Sequence, residues 1–183
     1  MPASEKNQKL LEAASEAQIM GVIGQLSTEN ADVNTTDSKG NTPLMLAITS
    51  GRGRFIAQNL IQRWGADINH ANSDGETALA LAVREKDASL TTFLLLMGAA
   101  LPKDKGPRSL SNTAQRSASP EMRALAPYLS GKKPITALAA EEDAKLRHVQ
   151  FVGIQENNFP HLSPQEVRSR AFRKVVVLTP HGS

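Results

Sequence analysis

"GNTPLMLAITSGRG", Gly40 to Gly53, is the stretch that decides how this chain is read. Thr42 suits a helix N-cap, because its hydroxyl can accept a bond from a first-turn amide. Pro43 fits the first helical turn, where a missing N–H costs nothing. Gly51 and Gly53 supply the stop. The helix so bounded has about two turns, too short to hold alone in water. It needs a neighbour to lean on.

The neighbour is a second copy. "GETALALAVREKD", Gly75 to Asp87, places Gly75, Thr77, Leu79 and Ala82 where the first stretch has Gly40, Thr42, Leu44 and Ala47. Downstream, Trp64-Gly65-Ala66 matches Met97-Gly98-Ala99, and upstream Ala31-Asp32-Val33-Asn34 matches Ala66-Asp67-Ile68-Asn69. Self-similarity at a period of about 33 residues predicts a stacked array, each unit burying its apolar face on the next.

These residues resemble the ankyrin repeat, whose signature is Gly-x-Thr-Pro-Leu-His-x-Ala, two helices, then Gly-Ala-Asp-x-Asn. Gly40, Thr42, Pro43, Leu44 and Ala47 fit it, as do Gly65, Ala66, Asp67, Ile68 and Asn69. The next copy keeps Gly75, Thr77, Leu79, Ala82, Gly98 and Ala99. The first keeps Leu10, Ala13, Ala14 and Ala31 to Asn34. The resemblance covers about residues 8 to 102 and weakens to 130. It implies an all-α fold: an ankyrin-repeat helical solenoid of three to four repeats with degenerate ends, followed by a C-terminal helical or irregular extension. The repeat domain is expected over 1 to 130, with capping repeats at about 8 to 34 and 109 to 130, and a basic extension over 131 to 183.

Departures from the pattern carry their own expectations. Met45 and Ala80 stand where the family has a His that hydrogen-bonds between neighbouring turns, so these turns are expected to be held less firmly. Lys86 stands at the family's inter-helix Gly, where a positive φ strains a side-chain-bearing residue. Two residues more separate Ala47 from Gly65 than Ala82 from Gly98, and a longer inter-helix loop is expected around Gly51 to Arg54.

Along the chain, residues 1 to 7 read as a loose end, and Lys9 to Ala17 and Gln18 to Leu26 as a capping pair of helices. Thr42 to Ser50 and Arg54 to Arg63 form the next pair, Thr77 to Glu85 and Ser89 to Met97 the third. Leu101 to Thr113 reads as a loop. Ser119-Pro120-Glu121 starts a helix that Pro127 interrupts. Lys132 to Gln150 reads as a helix and Phe151 to Pro160 as irregular. Ser163-Pro164-Gln165-Glu166 has the spacing of a capping box, and Lys174 to Thr179 has strand-like β-branched residues.

Composition narrows the function classes. The 183 residues contain no cysteine, which removes disulfides and thiol chemistry and suits a reducing compartment. A cytoplasmic setting follows, with delivery into a host cell a variant of it. The first residues do not look like a secretory signal, and no apolar run is long enough to span a membrane. Aromatic content of 4% leaves little for base stacking. Residues 1 to 100 hold 8 Lys+Arg against 11 Asp+Glu, while 101 to 183 hold 13 against 7, an acidic front and a basic rear.

Chemistry-bearing motifs are scarce. His70, His148, His161 and His181 lie in no metal-ligand spacing, and the Gly-Arg-Gly-Arg at Gly51 follows no strand. Glu141, Glu142 and Asp143 are consecutive and fan around a helix, which does not build a catalytic pair. No cofactor, metal or small-molecule substrate is expected, and the chain reads as a non-enzyme. The repeat resemblance instead implies protein binding through the concave surface of hairpin tips and inner helices. The residues free to vary there are Thr35, Asp37, Lys39 and Asn41 at the first tip, His70, Asn72, Asp74 and Glu76 at the second, and Met45, Arg52, Arg84 and Lys86 from the helices and their ends. An alternative places contact with nucleic acid or an anionic membrane on the basic run Arg168, Arg170, Arg173 and Lys174. A third reading, an active site within 131 to 183, has no motif behind it.

Overall fold

The computed structural model describes residues 5–102 and 109–155, with side chains up to Lys145. A first compact unit runs to Ala139, and a second begins at Ala140.

The first unit is built of helix pairs. They are α1 (Glu5–Ser15) with α2 (Ile19–Ser27), α3 (Pro43–Thr49) with α4 (Arg54–Trp64), α5 (Ala78–Arg84) with α6 (Ala88–Leu96), and α7 (Leu110–Gln115) with α8 (Pro120–Leu129). Each inner helix stacks on the next, α1 on α3, α3 on α5 and α5 on α7, while α2 lies on α4 and α6 on α8. The inner helices pack more closely on one another than the outer ones do, and they and the tips make the face that the repeat resemblance reads as the hollow side.

One apolar seam joins the pairs. Leu10, Leu44, Leu60, Leu79, Leu94 and Met122 are all 0% exposed and belong to one continuous core. Each buried Leu contributes about 1.5–3 kcal/mol by leaving water, which is how helices of two turns become stable. Their starts are fixed locally. Thr42 Oγ1 accepts from Met45 N, Thr77 Oγ1 from Ala80 N, Asp87 Oδ1 from Leu90 N and Ser119 Oγ from Met122 N. The Thr-Pro start read from the sequence is present, and Gly65 closes α4 in the left-handed conformation at φ 65°.

Ala17, Gly51 and Lys86 occupy the same inter-helix turn in successive pairs and all have positive φ, 55°, 69° and 58°. The expectation for Lys86 therefore holds, and Ala17 shares it. Of the two extra residues between Ala47 and Gly65, one lengthens the turn, Ser50–Gly53 against Glu85–Asp87. The other lengthens α4.

Several boundaries differ from the sequence reading. Residues 5 to 7 are not a loose end: α1 begins by Glu5, Lys6 Nζ donates to Asn30 O (2.9 Å), and Asn7 Oδ1 accepts from Asp32 N (3.0 Å). Leu110 to Thr113 is helical and not loop, because Ser109 caps it by accepting from Asn112 N. Pro127 does not interrupt α8, which continues to Leu129. It lies near the helix end, where only one intrahelical bond is forfeited. Finally, α9 (Ile135–Gln155) extends through Phe151 to Gln155, which composition alone made irregular. Its first residues, with Leu138 buried, complete the first unit. Residues 103–108, the helix start at Ser163, the Lys174 to Thr179 segment and the basic run Arg168 to Lys174 lie outside the described residues.

Candidate protein-binding surface

The hairpin tips are rigid because an acceptor sits inside each. At the first, Asp37 Oδ1 accepts from the amides of Lys39 and Asn41, both at 2.8 Å, and Oδ2 accepts from Asn41 Nδ2 at 3.0 Å. At the second, Asn72 takes the same place, its Oδ1 accepting from the amides of Asp74 (3.0 Å) and Glu76 (2.9 Å). Burial pushes the Asp37 carboxyl up, but the bonds from Asn41 and Lys39 and the nearby Lys39 charge outweigh it, and the group lies below its ordinary value.

The tips are also tied to one another. His70 Nε2–H donates to Gly40 O (2.9 Å), Asn72 Nδ2 to Asn41 Oδ1 (2.9 Å), and Ser73 N to Lys39 O (3.0 Å). These bonds join the first two tips, and there they correct the expectation of a loosely held turn. The His missing at Met45 is replaced by His70 and Asn72 acting from the tip itself.

A second tie runs through the Asp-x-Asn pairs. Asp32 Oδ1 accepts from Asn34 N and Asp67 Oδ1 from Asn69 N, which fixes each Asn. Asn34 Oδ1 then accepts from Asp67 N, and Asn69 Oδ1 from Ala100 N, both at 2.8 Å. Asn7 makes the same reach to Asp32, so every step of the array carries one such bond.

The residues proposed from sequence for contact divide accordingly. Met45 is 1% exposed and fills the core, so it has no surface to offer a partner. Thr35 and Asn72 are also buried, and Asp37 and Asn41 are half-buried and spent on tip geometry. His70 is half-buried with its ring committed to Gly40. Glu76 is held by Arg84, whose Nε also lies 3.9 Å from Glu85. Exposed on the hollow side or its edge remain Lys39, Asp74, Arg84, Arg52 and Lys86.

Sequence reasoning left three features without a role. Arg54 Nε donates to Asp87 Oδ2 across neighbouring pairs at 2.9 Å. Met20 and Phe55, at the second residue of α2 and α4, are exposed apolar side chains. The signal for these was available: aligning the outer helices puts two apolar residues in a column that carries Ser89 in α6. The third is Gln25, which aligns with the fully buried Leu60 and Leu94 and whose Oε1 is buried with no hydrogen-bond partner.

A shallow recess of about 450 Å³ lies between the start of α1, the Asn30–Val33 segment and Trp64. Its Lys6 and Asn7 are already bonded to the adjoining backbone. Among the described residues no group of three or more His, Asp or Glu is placed to hold a metal ion. No described helix is long and apolar enough to cross a membrane.

Comparison with protein families matches residues 10–105 to ankyrin repeats, in three copies. Comparison with curated proteins gives no match.

Proposed function

The chain belongs to the ankyrin repeat family, and from that premise we propose that it binds another protein through the hollow face formed by its hairpin tips and inner helices. Ankyrin repeats are in general protein–protein interaction modules and typically non-enzymatic. What supports the reading here is the division of labour at the tips. Asp37, Asn72, His70 and Asn34 hold the backbone, and Lys39 and Asp74 are thereby presented on a surface that needs no reordering to bind. The exposed residues of that face, Lys39, Asp74 and Arg84, are of mixed sign, which suits a protein partner and disfavours a uniform polyanion. We read residues 1–130 as the binding domain and 131–183 as an extension to it. The cysteine-free composition fits a cytoplasmic setting.

The test is affinity capture with the full chain against a variant carrying Lys39→Glu, Asp74→Lys and Arg84→Glu, with captured proteins quantified for each. Partners retained by the first and lost by the second support the reading. Identical captured sets would remove the hollow face as the site.

A further inference from the structure

The turns that join inner to outer helix in three successive pairs carry Arg52, Lys86 and Arg116, all exposed. Among the described residues no ion pair engages any of the three. Their neighbours differ: Arg54 is held by Asp87, and Arg84 by Glu76 and Glu85. Two further carboxylates stand at this edge: Glu16, in the equivalent turn of the first pair, accepts from Gln18 Nε2, and Glu121 accepts from Ser119 Oγ. An uncompensated cation therefore recurs in the last three of the four pairs, while the first pair carries Glu16 at that turn.

The same edge has an apolar end. The outer helices start there, and the second residues of α2 and α4 are Met20 and Phe55, 78% and 57% exposed. The corresponding places in α6 and α8 are Ser89 and Glu121. Read from α1 toward α8, the edge carries exposed apolar side chains in the first two pairs and unpaired cations in the last three.

We propose that this edge binds an extended acidic segment of a partner protein, with its carboxylates over Arg52, Lys86 and Arg116 and large apolar side chains at one end against Met20 and Phe55. The proposal rests on the protein-binding reading above and names the chemistry of the partner. Packed helices lie about 8–10 Å apart, and a chain extended in the polyproline II conformation advances about 3.1 Å per residue with three residues per turn, so every third side chain falls on one side. A carboxylate at every third residue therefore meets one turn each. A purely anionic polymer would satisfy the cations and leave Met20 and Phe55 in water, which is why an acidic polypeptide with an apolar end fits better than a nucleic acid.

The test is fluorescence anisotropy with the full chain and a labelled decapeptide, Leu-Leu-Gly-Asp-Ser-Gly-Asp-Ser-Gly-Asp. Controls are the same peptide with Lys for Asp and an oligothymidylate of equal length. The acidic peptide should bind, with Kd rising about tenfold or more in R52E/K86E/R116E and severalfold in M20S/F55S. Raising salt from about 25 to 250 mM should weaken the wild-type complex but not the triple variant's residual binding, where screening relieves repulsion between like charges. Melting curves check that each variant folds, and the three single reversals replace the triple if it does not. The proposal is overturned if the reversals bind the acidic peptide like the wild type, if the Lys peptide binds as well, if the oligothymidylate binds more tightly, or if no binding is seen at about 1 mM chain. Should the peptide fail while capture through Lys39, Asp74 and Arg84 persists, only this inference falls. Loss of both results would remove the binding-module reading with it.

Discussion

Asn34 Oδ1 accepts a hydrogen bond from Asp67 N at 2.8 Å, joining one repeat to the next across 33 residues of chain. Asn69 does the same for Ala100. Each bond serves one interface only, and in a stacked array stability is close to a sum of unit and nearest-neighbour terms. Asn34→Ala and Asn69→Ala should therefore each cost about 1 kcal/mol, and the double variant about their sum. Hydrogen exchange localises the effect: the Asp67 amide loses protection in the first variant, and the Ala100 amide in the second. Loss of protection at both amides in either variant would show that the interfaces are not independent.

Asp37 is an ionisable acceptor at the centre of the first tip. Its folded carboxyl lies below the ordinary range, so its contribution is fully present above the unfolded value, near 3.9, and is lost as pH falls through the folded value. Asn72 holds the equivalent tip with an uncharged acceptor. Asp37→Asn should keep the two backbone bonds, cost less than Asp37→Ala (about 1–3 kcal/mol), and flatten the acid limb of stability. Urea melts from about pH 6 down to 3 measure this, and an unchanged acid slope in Asp37→Asn would assign the limb to other carboxylates.

Gly53 is required by space. A Cβ built there would lie 2.0 Å from Ala47 O and 2.6 Å from Ala47 C, both backbone atoms of α3 that cannot swing aside. Gly53→Ala should destabilise by about 1–3 kcal/mol and loosen the packing of α3 against α4. The change in melting temperature reads it, and a neutral outcome would mean that the turn can open without cost.

Gln25 is a half-buried polar residue at a place that is core in the next two pairs. It aligns with Leu60 and Leu94, both 0% exposed, and its Oε1 is buried without a hydrogen-bond partner. Gln25→Leu removes the unmet acceptor and should stabilise the first pair by about 1 kcal/mol or more. A drop in stability in denaturant melts would show that the amide has a role beyond filling the site.

The repeat itself was readable because its signals are local and periodic. Thr42 and Thr77 cap their own helices, Gly65 terminates its own, and Leu44 and Leu79 recur at one spacing. What the sequence withheld depends on side chains meeting across repeats. Nothing in the composition around His70 marks it as the donor to Gly40, thirty residues earlier in the chain. Met45 reads as a contact residue from its place on an inner helix, yet its side chain is buried in the seam. Of the proposed contact residues, those with tip-forming chemistry, Asp37, Asn41 and Asn72, were spent on geometry. Only an explicit three-dimensional arrangement separates such residues from Lys39 and Asp74.

Lys86 and Gly51 occupy one turn position and offer opposite changes. Both have positive φ, a region that costs a side-chain-bearing residue about 1–2 kcal/mol and costs glycine little. At Gly51 nothing crowds the place of a Cβ, so the backbone angle alone decides. Gly51→Ala should therefore destabilise by about 1 kcal/mol. Lys86→Gly should gain about 0.5–1 kcal/mol, the relieved strain being partly offset by the greater freedom of glycine in the unfolded chain. The second variant also removes the middle cation of the turn edge. Its melting temperature should rise while its affinity for the acidic decapeptide falls, two shifts of opposite sign from one substitution. Lys86→Ala separates them: it keeps the strain and removes the charge, so stability should stay near that of the wild type while affinity falls as far as in Lys86→Gly. If Lys86→Gly lowers the melting temperature, strain at this turn is not what limits stability.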